Sequence, residues 1–231
     1  MLKVNFKYIE KLKHKKNAII REGFEILMSK HEKTWDKLLK IKTTGLDASR
    51  SDQYRYPYEP TSYLVLDRLA NSGLIGKKDL ILDYGSGKGR VGFFLSYQNR
   101  ARSIGIEYDE RIYSSAKENQ KTAVSASRVN FLLENAEDYI VPFEVSRCYF
   151  FNPFSVEILQ KVMAKIIDSY YTKPRDILLF FYYPSEEYIY YLLTVDELDF
   201  MDEIDCRDIF GGNDERERIM IFQMRNDSDI I

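Results

Sequence analysis

The chain has 231 residues, 45% of them apolar and 14% aromatic, as in a globular protein with room for one α/β domain and a substantial core. No segment reaches the apolar length of a membrane span, and the N-terminus is too basic and interrupted for a secretory signal, so a cytoplasmic protein is expected. The two cysteines, Cys148 and Cys206, form no metal motif, and both histidines, His14 and His31, precede the main domain, which argues against a metal site or a histidine base there.

The net charge of −2 hides an asymmetry. Residues 1–42 hold twelve Lys/Arg against five Asp/Glu. Residues 5–42 read as helical, with Ile20, Phe24, Leu27, Met28, Trp35, Leu38 and Leu39 at spacings of three and four on an apolar face. Lys3, Lys7, Lys11 and Lys15 align on a basic face, which suits either a polyanion such as nucleic acid or plain solvent. Thr43-Thr44-Gly45 ends this region, and a tyrosine-rich loop runs from Ser51 to Pro60. We divide the chain into an N-terminal extension with a loop over residues 1–60 and a main domain over 61–231.

In the main domain a short helix at 61–70 precedes a regular alternation. Strands are expected at 80–84, 102–107, 129–133, 147–151 and 176–182, and helices at 89–98, 109–126, 155–170 and 185–193. Apolar runs such as Ile177-Leu178-Leu179-Phe180-Phe181 suit strands covered on both faces. The alternation predicts a doubly wound, mostly parallel sheet. Residues 199–209 and 216–224 flank Gly211-Gly212-Asn213-Asp214 and read as a terminal antiparallel hairpin, giving seven strands.

The stretch Leu80-Ile81-Leu82-Asp83-Tyr84-Gly85-Ser86-Gly87-Lys88-Gly89-Arg90 is an apolar strand, an acid and a glycine-rich turn before a helix. That order builds a ligand site at the carboxyl end of a sheet, with helix N–H groups that favour an anion. Glu107 ends the next strand, where nucleotide folds hold ribose hydroxyls. A dinucleotide fingerprint needs glycine at position 90, which is Arg. Cations in the first helical turn oppose the macrodipole, so Arg90 requires an anion, from a ligand or a neighbouring Asp or Glu.

The spacing Asp-x-Gly-x-Gly-x-Gly resembles motif I of class I S-adenosylmethionine-dependent methyltransferases. Asn152-Pro153-Phe154, after the fourth strand, resembles the (N/D)-P-P-(Y/F) motif of members that methylate amino or planar nitrogens, with one proline fewer. The run from about 58 to 224 is similar to a small bacterial family of such enzymes with no assigned substrate. This resemblance implies S-adenosyl-L-methionine as cofactor. It implies contacts from Tyr58, Thr61, Asp83, Tyr84, Gly85, Ser86, Gly87, Gly89, Arg90, Glu107, Tyr108, Asn135, Ala136, Glu137 and Asn152. The catalytic residues it implies are Asn152, Pro153 and Phe154: two acceptors orient the target nitrogen and an aromatic ring walls it. The competing reading of Asn152 is a cap on the helix at 155–170, with Pro153 in its first turn. Two other functions stay open: a binding module that keeps the pocket without catalysis, and a nicotinamide oxidoreductase, which Arg90 disfavours. The acceptor is a nucleic acid, a protein side chain or a small amine.

Overall fold

A computed structural model describes residues 26–47 and 58–225. The first helix, α1, is described over 26–39; then come α2 (Tyr63–Asn71), β1 (Leu80–Tyr84), α3 (Arg90–Gln98), β2 (Arg102–Glu107), α4 (Glu110–Thr122) and β3 (Val129–Leu133). They are followed by β4 (Arg147–Phe150), α5 (Val156–Thr172), β5 (Leu178–Tyr182), α6 (Glu186–Leu192), β6 (Leu198–Asp205) and β7 (Arg218–Met224). The seven strands form one sheet in the order β3-β2-β1-β4-β5-β7-β6. Pairing is parallel from β3 to β5, while β7 runs antiparallel to both β5 and β6. The order reverses between β1 and β4, and a doubly wound sheet opens a crevice at the carboxyl ends of such a pair.

The pleat sends alternate side chains to opposite faces, so the sheet has two cores. Ile81 and Tyr149 pack with Phe93, Phe94 and Tyr63 on one face. Leu80, Leu82, Tyr84 and Phe150 pack with Phe154, Phe181 and α5 on the other. There Tyr84, Phe150 and Phe181 stack across three strands, with centroids 4.8 and 4.5 Å apart and rings nearly parallel. Each such pair adds about 0.5–1.5 kcal/mol beyond its burial. Cys148 and Cys206 are buried free thiols.

The segment before the sheet belongs to the first core: Leu39 and Ile41 are buried with Tyr63 and Phe94, and Trp35 packs edge-on against Phe94. Its details differ from the predicted ones. The helix stops at 39, because Lys40 takes a left-handed φ of 58° and the Asp36 carboxylate gathers the exit, accepting from the Thr43 N–H, the Thr43 hydroxyl and the Thr44 N–H. Leu27 and Leu38 are exposed, so among the described residues of the predicted apolar face Leu39 is buried in the core and Met28 and Trp35 pack partly against it. Ile20, Phe24 and the lysines at 3, 7, 11 and 15 lie outside the described residues. Helix α4 ends four residues short of its predicted limit, since the Val124 N–H leaves the helix to bond the Leu39 carbonyl. Among the described residues no helix is long and apolar enough to cross a membrane.

Candidate active site

The crevice at the carboxyl ends of β1, β2 and β4 is a deep cleft. Its walls include Tyr58, Thr61, Asp83, Gly85, Ser86, Arg90, Glu107, Tyr108, Asn135, Ala136, Pro153 and Phe154, all singled out above. Asp47, Glu59, Tyr149 and Phe151 also line it.

The glycine turn is folded on itself. The Gly85 and Ser86 N–H groups both donate to the Ile106 carbonyl, at 3.0 and 2.9 Å, and Gly89 N–H donates to the Ser86 carbonyl at 2.9 Å. Gly87 N–H donates to Glu107 Oε2 at 2.9 Å, and Glu107 Oε1 accepts from Asp109 N–H, also at 2.9 Å. The N–H groups of the turn itself, at Gly85, Ser86, Gly87 and Gly89, are therefore occupied by the fold's own carbonyls and by Glu107. Gly87 has a φ of 57°, and a Cβ there would stand 2.2 Å from Tyr58 Cε2. The tyrosine lies directly against the turn, with Lys88 Nζ 4.7 Å from its ring centroid and its hydroxyl donating to the Thr43 carbonyl. An antiparallel bridge between Asp47 and Tyr58 holds this cover in place.

Asp83, the last residue but one of β1, faces the cleft. It is 2% exposed, and its Oδ2 has no hydrogen-bond partner within the protein. Burial, then the charge of Glu107, pushes its carboxyl up to about 8. Glu107 is raised too, mainly by burial, against the pull of its backbone donors.

Arg90 finds its anion inside the chain. Its guanidinium is 3% exposed, pairs with Glu32 and lies 3.8 Å from Asp36. It also donates to Thr43 Oγ1 and the Thr61 carbonyl and stacks on the Tyr63 ring. Of the two compensations expected, the neighbouring carboxylates supply it.

The Asn152 segment is not a helix cap. The N-cap of α5 is Ser155, and the helix begins at Val156, beyond Pro153. Asn152 instead has a left-handed φ of 42°, its Oδ1 is buried without a partner, and it stands back from the cleft wall that its neighbours Phe151 and Pro153 line. Pro153 packs on the glycine turn: a Cβ at Gly85 would lie 2.6 Å from Pro153 Cβ. Phe154 lines the cleft but is 5% exposed, edge-on to Phe150, so its ring offers no free stacking face. Phe151, half-buried against Tyr182, is the more open aromatic there.

Several predicted residues stand back from the walls. Tyr84 follows Asp83 and so points into the opposite core. Gly87 and Gly89 lie beneath Tyr58 and Phe131. Asn135 lines the cleft while its amide bonds Glu137 and Asp138, and Glu137 pairs outward with Lys161. Tyr149 was missed; its hydroxyl sits 3.0 Å from Thr61 Oγ1, and its place two residues before Phe151 on an alternating strand was the available signal.

No protein-family model and no curated protein matches the chain. Solved structures do. An RNA methyltransferase from Salinibacter ruber, crystallised with S-adenosyl-L-homocysteine, is 18% identical, with 72% of this chain and 92% of that one covered at a TM-score of 0.50. An rRNA-methylase described as putative, from Clostridium thermocellum, is 12% identical over 73% of this chain and 99% of its own, TM-score 0.53. A protein in the NADB-Rossmann superfamily from Streptococcus agalactiae is 16% identical over 72% and 69%, TM-score 0.53. At these identities the likeness is one of fold: the chain shares the Rossmann-like architecture of these structures.

Proposed function

We propose that the chain is an S-adenosyl-L-methionine-dependent methyltransferase acting on an amino or planar nitrogen. The observation that carries the reading is Asp83, a buried carboxyl group in the cleft wall with one oxygen unpartnered. A buried polar atom without a partner is costly, and an ammonium group is its complement. The cofactor carries an ammonium, a ribose diol and an adenine, and the residues present fit that set. Asp83 would take the ammonium. Glu107 would take the diol, since the N–H groups of Gly87, Asp109 and Tyr108 do not exhaust the roughly four lone-pair sites of its carboxylate. Asn135 and Ala136 would border the adenine. Arg90, already matched by Glu32 and Asp36, would serve as wall.

When bound, S-adenosylmethionine would supply a methyl group on a positively charged sulfur; the target nitrogen, having given up a proton to solvent to expose its lone pair, would take that methyl as the C–S electron pair returns to sulfur. The chain's own task is positioning. Asn152 stands between the lining residues Phe151 and Pro153, and its Oδ1, free of protein partners, is the acceptor we assign to the target nitrogen once substrate opens a path to it. Pro153, seated on Gly85, fixes the distance between the two motifs. Such alignment supplies roughly 7–11 kcal/mol of a barrier, so no histidine base is needed.

Six carboxyl groups line the cleft, at Asp47, Glu59, Asp83, Glu107, Asp109 and Glu134, against two guanidiniums, Arg90 and Arg111. This balance favours an amine over a polyanion as acceptor, although neighbours of the same fold are called RNA methylases.

Calorimetry tests the cofactor. S-adenosylhomocysteine should bind, and Asp83→Asn and Glu107→Gln should each cost roughly 1.5–3 kcal/mol of that binding. Tighter binding of NAD would overturn the assignment. Incubation with methyl-labelled cofactor and cell extract would then reveal the class of acceptor.

A further inference from the structure

Beside the cleft lies a second hollow, at the carboxyl end of β5. Phe151, Tyr182, Tyr183 and Phe210 wall it, together with Glu59 and Glu217. The two hollows share Glu59, Pro60 and Phe151. A molecule seated in the second therefore reaches the first around the Phe151 ring, at the residue preceding Asn152.

We propose that this hollow is the acceptor subsite and that it selects an amine-bearing acceptor of net positive charge. The proposal rests on the methyltransferase reading and adds the chemistry of what is methylated. Aromatic faces are negative and attract cations. Phe151 packs 4.7 Å from Tyr182 and edge-on to Tyr183, so these rings are held as a wall. Glu217 is half-buried and accepts the Tyr182 hydroxyl at 2.6 Å, which fixes its carboxylate behind them. Glu59 is exposed at the mouth that both hollows share. Among the described residues no Lys or Arg lines this hollow. Arg216 touches its wall from Tyr183, stacked 4.0 Å from the ring centroid and donating to the Tyr183 and Pro184 carbonyls. Asp214, which accepts the Tyr183 hydroxyl, offsets that charge. Glu59 and Glu217 form no ion pair among the described residues, though the Arg216 charge is felt at Glu217, and an approaching phosphate backbone meets them as like charges.

The test uses the full chain, with and without saturating S-adenosylhomocysteine. It is titrated with benzylammonium, with benzyl alcohol as the neutral counterpart, and with a uridine oligonucleotide. Benzylammonium should bind about tenfold more tightly than the alcohol. Glu217→Gln keeps an acceptor for Tyr182 and should remove most of that preference while S-adenosylhomocysteine affinity holds. Equal affinities for the two small probes, no binding of benzylammonium, or tighter binding of the oligonucleotide overturns the proposal. The titration with S-adenosylhomocysteine separates the two readings. A chain that binds it without preferring the ammonium fails this proposal alone. A chain that does not bind it fails the methyltransferase reading.

Discussion

Arg90, on the first turn of α3, donates to the carboxylate of Glu32 on α1, 58 residues earlier in the chain. The guanidinium is buried, so removing either partner strands a charge. Arg90→Met should destabilise the chain by about 3–5 kcal/mol and Glu32→Gln by about 1–3 kcal/mol. The double variant should lose less than the sum, because the two act through one contact. The single tryptophan, Trp35, stacks on Tyr63 and meets Phe94, so its fluorescence during urea unfolding reports the docking of α1. Unchanged midpoints in both single variants would remove this anchor from the account.

Gly87→Ala should disturb the site through Tyr58. The new Cβ would meet the ring at 2.2 Å, and the left-handed backbone disfavours any side chain. A loss of about 1–3 kcal/mol in stability is expected, with weaker S-adenosylhomocysteine binding. Tyr58→Ala in the same chain should restore part of the stability by opening space. Additive losses in thermal unfolding would show that the clash is not the cause.

Asp83 sets a pH dependence with a defined sign. Its carboxyl, at about 8 in the folded chain, holds a proton that an unfolded aspartate releases near about pH 4. Between these values the unfolded state binds fewer protons, so this group's contribution to stability falls as pH rises. Relative to Asp83→Asn, the natural chain should lose melting temperature steadily from the acid end of that window to the alkaline end. An ammonium ligand favours the carboxylate, so S-adenosylhomocysteine binding at neutral pH should release a proton. Calorimetry in buffers of different ionisation heat reads that release, and its absence would show that no cation meets Asp83.

Asn152→Gly separates backbone from side chain. Glycine suits the φ of 42°, so the fold should keep its stability, and S-adenosylhomocysteine affinity should stay near that of the natural chain. Turnover should fall about 100-fold as the target nitrogen loses its orientation. Full turnover in the glycine variant would refute the positioning role.

Much of the sheet was legible because its strands are short apolar runs between turn residues, and both-face burial needs such runs. The terminal hairpin was legible from the lack of room for a helix around Gly211 and Gly212. Asp83, Gly85 and Glu107 were legible for a topological reason: strand ends converge where the sheet order reverses. Tyr84 was misjudged, because nearness in sequence to Asp83 places it on the other face. Arg90 was read correctly as needing an anion, but nothing local to it indicates Glu32, which lies across a long loop of chain. Leu27 and Leu38 fit a helical period yet face outward, since the stripe that meets the core is narrower than the run of apolar residues. The hollow at the end of β5 depends on Phe210 and Glu217, which come from opposite sides of the last turn, so no single run of sequence shows that they meet.

The contacts of the early segment also bear on the order in which the protein assembles. Thr43 meets Arg90, Lys42 bonds Asn119, and Thr122 bonds Lys40, over separations of 47, 77 and 82 residues. Residues 32–43 leave the ribosome well before any of these partners exist. Loop closure over such distances is slow, and each contact forms only once the far partner is in place. The segment 32–43, although made before the sheet, is thus among the last parts of the described chain to settle, and the cover over the glycine turn closes only on a sheet already built. A nascent chain ending before residue 90 should leave residues 26–47 open to protease, while the full-length protein shields them.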